Sequence, residues 1–552
     1  MTTAGEEFDY VVVGSGTAGC VVAARLSEDR DRNVCLIEAG PPDRSPLVHV
    51  PAAVGTLIAH KVMGWGYRTV PQPGLKGRSI LVPRGRVLGG CSSTNGMVYF
   101  RGHPKDFDDW AAAGNPGWSF REVLPYFIRS EDNPEYAGSP FHGVGGPMRV
   151  AHIPRVNPLC EVFLEAAAGL GYPRCADFNG TLDPVGFNTR QGTIRNGRRE
   201  SGVTAFIKPA RNRTNLRIVT DALVTRVLLE NRRAIGIEMN VGGESRTLRT
   251  RREVILAAGA IGSPQVLMLS GIGDGRDLNA LGITVRHDLP AVGRHYTDHL
   301  AIGVLMSADS PESYGLSWRR TPRNLWHILE YLLFRRGPLG SNLFEATGFL
   351  RTEEGLDRPD VQLVFQPARR NKTPFPIPIG HGFAMNPLVL HPKSRGRVTL
   401  ASPDPHAMPL IDPNLLGDER DIDPLVRSIV ISRKIFAAEP FRRFNPVEYS
   451  PGPAVQDEAG LKDYIRSNAV TVHHPVSTCR MGPAGDNVVD AALRVHGIEG
   501  LRVADASVFP TLIGGNTNAA VVMVGEKAAD LILDRPAPPA IDIESLEVPA
   551  SA

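Results

Sequence analysis

The feature of this chain that most constrains its fold is a glycine-rich turn near the N-terminus, GSGTAG at positions 14–19. The apolar, β-branched run 10–13 precedes the turn, and a stretch with apolar residues at helical spacing follows it. A second apolar run, 33–37, leads into Glu38. A GxGxxG turn between a strand and a helix predicts a βαβ unit that opens a parallel sheet.

The three glycines of this turn each have a physical role in a phosphate site. Gly14 permits the tight turn, Gly16 lets the backbone approach a pyrophosphate, and Gly19 lets the helix pack closely on the strand. The helix that follows presents free N–H groups and a positive dipole to the phosphate. Glu38 lies 19 residues beyond Gly19, where a carboxylate can accept hydrogen bonds from an adenosine ribose. The turn therefore predicts a dinucleotide site, without separating FAD from NAD.

Size and composition exclude several other classes of protein. At about 150 residues per domain, the 552 residues correspond to three or four domain-sized units. The net charge of +3 creates no field that would attract nucleic acid, so we expect no nucleic-acid partner. Six cysteines in so long a chain, without a CxxC pair, exclude a disulfide-stapled scaffold.

Two apolar stretches resemble membrane-targeting segments but lack their defining features. Acidic residues precede the stretch 11–24, where a signal peptide carries Lys or Arg. The stretch 254–273 has no charge, but four glycines, a proline and polar residues interrupt it, which favours a strand, a turn and a helix. We therefore expect no membrane span and a cytoplasmic protein.

The remainder of the chain differs from its N-terminal part in its Gly and Pro content and in the pattern of its apolar runs. Residues 41–110 are rich in Gly and Pro, which is typical of a long segment that wraps a cofactor. Residues 216–239 alternate apolar runs with polar turns and predict an antiparallel meander. Residues 305–450 predict a second domain, with a helix at 324–334 and strands at 361–366 and 395–402.

Two further motifs contain glycines and small residues that suit a flat ligand. The motif GRVLGGCSSTNGMV at 85–98 offers paired glycines and backbone N–H groups to a ring. The motif GAIGSPQVLMLSGIG at 259–273 predicts a helix that Ser263 caps, with Pro264 at its first position and Gly271 at its end. Each of them alone is also compatible with an ordinary loop or a short helix.

A histidine pair, His473 and His474, lies in the motif VHHPVSTCRMG at 472–482 and raises the question of a metal site. Adjacent side chains of an extended segment point to opposite faces, and no third ligand follows at helical spacing. We therefore expect no metal here. Asp505 and the segment GNTN at 515–518 follow this motif along the chain.

Taken in order, these four motifs resemble those of the glucose–methanol–choline (GMC) family of FAD-dependent oxidoreductases, in the branch similar to choline and alcohol dehydrogenases. The resemblance implies a combined α/β and α+β fold. A Rossmann-like FAD-binding domain is assembled from discontinuous segments, and a substrate domain is built on an antiparallel sheet and helices. We expect 6–155, 200–304 and 465–536 in the FAD-binding domain, 156–199 and 305–464 in the substrate-binding domain, and 537–552, which is Pro-rich and acidic, as a disordered tail.

The resemblance also implies roles for individual residues. His474, which precedes Pro475, matches the family's catalytic base, and Asn516 matches its second active-site position, which holds His or Asn. The segment 95–98 matches the one that runs along the flavin, and Val224 matches the adenine contact. The expected cofactor-binding residues are Gly14, Gly16, Thr17, Ala18, Gly19, Glu38, Ala39, Trp65, Gly90, Asn95, Gly96, Met97, Val98, Val224, Asp505, Ala506 and Thr517.

Two positions depart from the family pattern. Cys91 stands where the signature usually has Gly, Ser or Thr, although a small residue is all that a close backbone approach needs. Thr94 stands where some members carry a His that bonds covalently to the flavin. Because a threonine hydroxyl cannot form that bond, we expect noncovalent FAD.

The expected reaction is oxidation of a primary alcohol to an aldehyde, by hydride transfer to flavin N5 with a His base. His474 would take the hydroxyl proton, and Asn516 would hold the oxygen by a hydrogen bond. The helical stretch 519–533 would direct the positive end of its dipole at the reduced ring. A choline dehydrogenase and a redox-silent flavoprotein lyase stay open as alternatives, whereas an NAD-dependent dehydrogenase would share only the first motif.

The substrate and the electron acceptor are the least determined by the sequence. The segment NLFEATGFL at 342–350 is similar to choline dehydrogenases, which favours a dehydrogenase over an oxidase, and within it Glu345 is a candidate ligand for a quaternary ammonium group. Glu345 is equally typical of a buried structural carboxylate. His473, as a partly cationic imidazole beside the base, would repel such a group. We therefore expect an uncharged small-molecule alcohol before choline, with oxygen, a quinone or another acceptor left open.

Overall fold

The computed structural model describes residues 6–59, 63–370, 379–543 and 546, and two large β-sheets organise them. The strands of these sheets, in chain order, are β1 Glu7–Val13, β2 Val34–Ile37, β3 Gly186–Thr189, β4 Leu216–Val219, β5 Ala222–Glu230, β6 Arg233–Val241, β7 Glu244–Leu256, β8 Leu300–Ala301, β9 Val304–Ser307, β10 Ala346–Leu350, β11 Val361–Gln366, β12 Gly382–Val389, β13 Val447–Ser450, β14 Val470–Thr471 and β15 Leu501–Val503.

Besides the two sheets, the described residues form helices of nine or more residues, shorter helices and two- or three-stranded pairings. The longer helices are α1 Thr17–Leu26, α2 Pro104–Ala112, α3 Phe120–Ser130, α4 Pro158–Gly169, α5 Gly259–Leu269, α6 Thr321–Phe334, α7 Asp423–Ala437, α8 Glu458–Asn468 and α9 Asn518–Ile532. Within the described ranges, every helix is too short or too polar to cross a lipid bilayer.

The first sheet contains the predicted βαβ unit. Its strand order is β4-β2-β1-β7-β6-β5, and β15 pairs with the C-terminal end of β7, opposite β1. The strands β4, β2, β1, β7 and β15 run parallel, as expected for strands buried on both faces, whereas β5, β6 and β7 form an antiparallel meander. The meander prediction for 216–239 is therefore confirmed for β5 and β6 but wrong for β4, which extends the parallel sheet through its pairing with β2.

The second sheet is antiparallel throughout, with the order β13-β9-β12-β11-β10-β3; β8 also pairs with β12, and β14 pairs with β8. The predicted strand at 361–366 is β11, and α6 begins three residues before the predicted helix at 324–334. Two strands of this sheet, β8 and β14, lie in segments that we had expected in the FAD-binding domain. They are only two residues long, so the sequence carries no periodic signal for them.

Helix α9 packs against α1 over the first sheet and connects the C-terminal part of the chain to the glycine-rich turn. The Thr17 hydroxyl donates to the Asn518 side chain (2.8 Å), and Arg25 forms a salt bridge with the buried Glu526 (2.8 Å). Gly525 permits this contact, because a Cβ there would lie 2.9 Å from the Val21 side chain. The packing places the first residues of both helices side by side.

Helix α5 begins earlier than the sequence predicts. It starts at Gly259, so that Pro264 lies inside it and Ser263 does not cap it. The Ser263 hydroxyl instead donates to Asp505 (2.6 Å) and accepts from the Ala258 amide (3.1 Å). The prediction of an N-cap at Ser263 is therefore wrong, because a partner distant in the sequence engages that side chain.

The described part of the C-terminal segment is not a free tail. The Ile541 amide donates to the Arg121 carbonyl (2.9 Å), and Ile541, Ile543 and Leu546 pack partly buried against the core of the first sheet. The prediction of disorder rested on composition and is wrong for these residues, whose apolar side chains alternate with acidic ones. The remainder of 544–552 lies outside the described residues.

Candidate active site

A cavity of about 860 Å³ lies between the two sheets, and nearly all the residues predicted for the site line it. These are Gly14, Gly16, Thr17, Ala18, Glu38, Ala39, Trp65, Gly90, Asn95, Gly96, Met97, Val98, Val224, His473, His474, Asp505, Ala506, Asn516 and Thr517. The exceptions are Gly19 and Glu345. Segments more than 400 residues apart in the chain thus form one site.

The glycine-rich turn has the backbone geometry that a phosphate site needs. Gly14 has a φ of +96°, and a Cβ at this position would lie 2.5 Å from the Ala257 carbonyl oxygen. Gly16 is the N-cap of α1 and lines the cavity, so the first amides of α1 face the open space. A Cβ on Gly19 would lie 1.9 Å from the Gly14 carbonyl oxygen. Gly19 therefore allows α1 to pack on the turn rather than contacting a ligand.

Glu38 is buried at one end of the cavity and held in a fixed orientation. It accepts hydrogen bonds from the Ser15 amide (3.1 Å), the Ser15 hydroxyl (2.6 Å) and the Gly40 amide (2.9 Å). Burial raises the pKa of this carboxyl, and these donors oppose that shift. Each carboxylate oxygen has two lone pairs; the two Ser15 donors occupy both on Oε2, whereas Oε1 accepts only from Gly40 and can still accept from a ribose hydroxyl.

The segment 90–98 forms a wall that fits a flat ring. Gly90 has a φ of +51° and sits against Gly16, where a Cβ would lie 2.8 Å from the Gly16 Cα. A Cβ on Gly96 would meet no atom within 4 Å, so the backbone there borders open cavity. The Asn95 side chain accepts from the Met97 amide (3.0 Å). These contacts support the fit of a dinucleotide with a planar ring.

Arg199 holds this segment in place and was missed in the sequence analysis. Its buried guanidinium donates to the Asn95 carbonyl (2.6 Å) and the Asn95 side-chain oxygen (2.8 Å). Burial lowers the pKa of Arg199 to about 9. Because its partners lie 104 residues away, the pattern NGRRES around it gives no signal of this role.

A chain of hydrogen bonds defines the tautomer of His474. The His299 Nε2 lies 3.0 Å from the Leu390 carbonyl and 3.1 Å from the Ile513 carbonyl, so it carries the hydrogen. Burial lowers the pKa of His299 to about 3, which makes its Nδ1 an acceptor. The His474 Nδ1 lies 2.9 Å from that atom and must donate to it. The His474 Nε2 is therefore left unprotonated.

Asn516 lies opposite this free nitrogen. Its Nδ2 is 3.3 Å from the His474 Nε2, and its Oδ1 is buried without a hydrogen-bond partner among the described residues. Burial and the neighbouring charges lower the pKa of His474 well below its ordinary value. A neutral imidazole and an amide thus converge on one point of the cavity, just before the N-terminus of α9.

The second histidine, His473, does not follow the extended geometry that the sequence analysis assumed. Its φ is +70°, in the left-handed region, so both His473 and His474 line the same cavity. Arg84 donates to the His473 carbonyl, and Asp298 accepts from the His474 amide (2.7 Å); together they hold this turn. Burial lowers the pKa of His473 to about 3, so the expectation of a partly cationic imidazole is wrong.

Glu345 is a structural carboxylate and not a ligand in the cavity. It is fully buried and accepts from the Asn157 amide (2.6 Å), the Tyr314 hydroxyl (2.9 Å) and the Ser341 hydroxyl (2.5 Å). Its oxygens are directed at these donors, and Glu345 does not line the cavity. The proposal that Glu345 binds a cationic substrate is therefore wrong, because its hydrogen bonds are already made within the fold.

The second sheet forms the roof over His474 and Asn516. Along β11, Gln362, Val364 and Gln366 line the cavity, whereas the alternate residues face the core, as the two-residue period of a strand requires. Five arginines that the sequence analysis did not predict as site residues also line the cavity: Arg68, Arg84, Arg86, Arg190 and Arg370.

Of these arginines, Arg190 is the one that is buried. Its Nε and Nη2 atoms are buried without a hydrogen-bond partner among the described residues, and burial lowers its pKa to about 9. The acidic residues that line the cavity, Glu38 and Asp505, are engaged by their own donors. The part of the cavity beside His474 is therefore electropositive.

Comparison with known proteins places this site in a family. Two models of the GMC oxidoreductase family match the chain, the N-terminal one over residues 8–301 and the C-terminal one over residues 392–525. The chain is 40% identical to an alcohol dehydrogenase [acceptor] of Pseudomonas putida, over 98% of this chain and 97% of that protein. It is also 40% identical to an oxygen-dependent choline dehydrogenase of Brucella anthropi, over 96% of each.

Solved structures have the same fold over nearly the whole chain. A pyridoxine 4-oxidase from Mesorbium loti superposes with a TM-score of 0.86 at 34% identity, covering 96% of this chain and 100% of that one. A formate oxidase of Aspergillus oryzae superposes with a TM-score of 0.88 at 28% identity, covering 96% and 99%. The chain belongs to the GMC oxidoreductases, a family of FAD-binding flavoproteins, and is an oxidoreductase that acts on CH–OH donors.

Proposed function

We propose that this protein oxidises a primary alcohol to the aldehyde, with His474 as the base. The observation that carries this proposal is the hydrogen-bond chain from His299, which leaves the His474 Nε2 unprotonated and facing the cavity. Bound FAD would supply the acceptor, flavin N5, for the hydride that leaves the carbinol carbon. The proton of the hydroxyl goes to His474 Nε2, and the carbon–oxygen double bond forms as the C–H bond breaks.

Asn516 and helix α9 would support this proton transfer. The Asn516 amide can donate to the substrate oxygen while His474 accepts from it, which fixes the alcohol between the two side chains. The N-terminus of α9 faces the same cavity through Asn516, Thr517 and Asn518. Its dipole would stabilise negative charge that develops there.

The site fits FAD, and we propose that FAD is held without a covalent bond. Glu38, the turn at 14–19 and the open backbone at Gly96 would hold its ribose, pyrophosphate and ring. Thr94 lines the cavity where attachment would need a histidine. Acid precipitation of the yellow protein should leave the flavin in the supernatant; colour that stays with the precipitate contradicts the proposal.

The test of the function is reduction of the bound flavin under argon by a panel of alcohols. Loss of the yellow absorbance on adding benzyl or medium-chain alkyl alcohol, with formation of the aldehyde, is the expected result. A flavoprotein lyase would bind FAD and show no such bleaching with any alcohol. Turnover in air and with an artificial acceptor under argon then distinguishes an oxidase from a dehydrogenase.

Choline is the second candidate, because one of the relatives is a choline dehydrogenase. The neutral state of His473 removes one objection to it. The lining arginines Arg84, Arg190 and Arg370 oppose it, since a cation in the wall of the cavity repels a quaternary ammonium group. We therefore propose an uncharged alcohol as the better substrate; a kcat/KM for choline tenfold above that for every other alcohol in the panel contradicts this.

A further inference from the structure

Helix α6 presents a continuous apolar surface to solvent. Besides Phe334 at its last position, six large apolar side chains on it are between 45% and 62% exposed: Leu325, Trp326, Ile328, Leu329, Leu332 and Leu333. Their spacing of three and four residues places them on one side of the helix. A large apolar patch of this kind on the solvent-exposed surface of a protein indicates an interaction site.

The opposite side of α6 is polar and faces the protein. The Tyr331 hydroxyl donates to the Gly197 carbonyl (3.0 Å), and the Asn324 side chain donates to the Gly315 carbonyl (3.4 Å). Glu330 forms a salt bridge with Arg155 (3.0 Å). The helix is therefore inverted relative to an ordinary surface helix, whose apolar side packs on the core. Packing against the core of this protein therefore does not explain why the leucines of α6 face solvent.

Basic residues stand at both ends of this apolar surface. Arg320 and Arg323 lie at its start, and Arg335 and Arg336 lie immediately after it, with Arg323, Arg335 and Arg336 exposed. Glu330 is the sole acidic residue in the sequence between positions 318 and 336, and it is turned inward to Arg155. The surface thus combines an apolar centre with a basic rim.

We propose that α6 lies in the interface of an anionic phospholipid membrane, with its leucines and Trp326 among the acyl chains and its arginines at the headgroups. An apolar helix face with a basic rim is what binds the surface of such a bilayer without crossing it. A second copy of the chain fits less well. In a two-fold contact through this face the two helices would run antiparallel. The arginines at the start of α6 would then lie against the arginines at the end of α6 in the second copy, and like charges repel.

The test is co-sedimentation of the FAD-loaded, full-length protein with large unilamellar vesicles. Vesicles of phosphatidylcholine with 40% phosphatidylglycerol should bind the protein, and vesicles of phosphatidylcholine alone should bind it roughly tenfold more weakly. The triple variant Leu325→Ser/Leu329→Ser/Leu332→Ser should lower binding roughly tenfold or more at unchanged flavin content. Arg323→Gln/Arg335→Gln/Arg336→Gln should abolish the preference for the anionic vesicles.

Matched controls separate this helix from exposed apolar residues in general. The variant Val144→Ser/Leu170→Ser/Val447→Ser changes equally exposed side chains elsewhere and should bind like the parent protein. The fluorescence of the parent should shift to the blue on binding, and Trp326→Phe should lose that shift. The proposal is overturned if the parent does not bind, if the control triple variant loses binding equally, or if the Leu→Ser variant converts a dimer in solution to a monomer.

Discussion

The protonation states of three histidines, His299, His473 and His474, decide what His474 can do. His299 is pinned by two carbonyl oxygens, and this fixes its Nε2 as the donor and its Nδ1 as the acceptor. His474 must then donate through Nδ1, so its lone pair at Nε2 faces Asn516. His473 has no such relay and touches Thr471 through Nδ1 (3.2 Å). The two adjacent histidines therefore differ in chemistry although both line the cavity.

This difference predicts unequal effects of substitution. His474→Ala should slow reduction of the bound flavin by about 10²–10⁴-fold, because that is the usual contribution of a general base. His473→Ala should slow it far less, and both variants should keep their FAD. Stopped-flow absorbance with an alcohol under argon measures both rates. A larger loss in His473→Ala than in His474→Ala would show that His474 is not the base.

The pH dependence of the reaction tests the same assignment. The pKa of His474 is lowered well below its ordinary value, first by burial and then by the neighbouring His299 and Arg84. The base form therefore persists as the pH falls, and the rate of flavin reduction should stay constant between pH 8 and pH 6. A base with the ordinary pKa of about 6.5 would lose about three-quarters of its active form at pH 6.

A variant at Arg84 provides the matched comparison. Arg84→Gln removes one cation that lowers the pKa of His474. The acidic limb of its pH–rate profile, where the rate of flavin reduction falls, should therefore move to higher pH. The flavin content of the variant shows whether the cavity is intact. An acidic limb near pH 6.5 in the parent protein, or no upward move in Arg84→Gln, would contradict the role given to His474.

Sequence reasoning found His474 and Asn516 through the resemblance of their motifs, but it missed the residues that orient them. His299 lies 175 positions before His474, and nothing in the segment around it indicates that its ring meets the base. His473 was misread because its positive φ depends on hydrogen bonds from Arg84 and to Asp298, both distant in the chain. A local sequence pattern indicates only local geometry, whereas these contacts join residues that are far apart in the chain and meet only in the folded protein.

At the scale of single elements, α5 shows how a tertiary contact overrides a local signal. Pro264 has no amide hydrogen, so it leaves the Ala260 carbonyl without its helical partner. The Thr478 hydroxyl donates to that carbonyl (2.6 Å), and this contact allows α5 to begin at Gly259. The βαβ unit was predictable because its signals lie within 30 residues of each other, whereas the start of α5 depends on a residue more than 200 positions away.

The contact between Thr478 and α5 predicts a measurable loss of stability. Thr478→Val keeps the shape of the side chain but leaves the buried Ala260 carbonyl unpaired, which should lower the free energy of unfolding by about 1–3 kcal/mol. Thr478→Ser keeps the hydroxyl and should lose less. Urea-induced unfolding of the FAD-loaded proteins measures both, and equal stability of the two variants would show that Ala260 has another partner.

At the scale of the whole molecule, the cavity joins the two sheets. The turn at 14–19 and the meander strand β5 line it from the first sheet, and β11 and β12 line it from the second. The short strands β8 and β14 cross the boundary that the sequence suggested between the domains. A ligand that fills this cavity contacts segments of both sheets at once, so its binding is linked to the stability of the whole chain.

Removal of FAD should therefore lower the thermal midpoint of the protein, since a ligand at 100 times its Kd contributes about 2.7 kcal/mol. Two glycine variants separate the ligand from the fold. A Cβ at Gly16 would meet only the Ala257 carbonyl oxygen at 3.6 Å and would otherwise project into the cavity. Gly16→Ala should leave the apoprotein as stable as the parent but remove most of the stabilisation by added FAD.

Gly14→Ala is the control variant. With its φ of +96° and a Cβ 2.5 Å from the Ala257 carbonyl oxygen, it should destabilise the apoprotein itself. Differential scanning fluorimetry with and without FAD compares the three proteins, and full stabilisation of Gly16→Ala by FAD would show that the pyrophosphate does not lie against this turn.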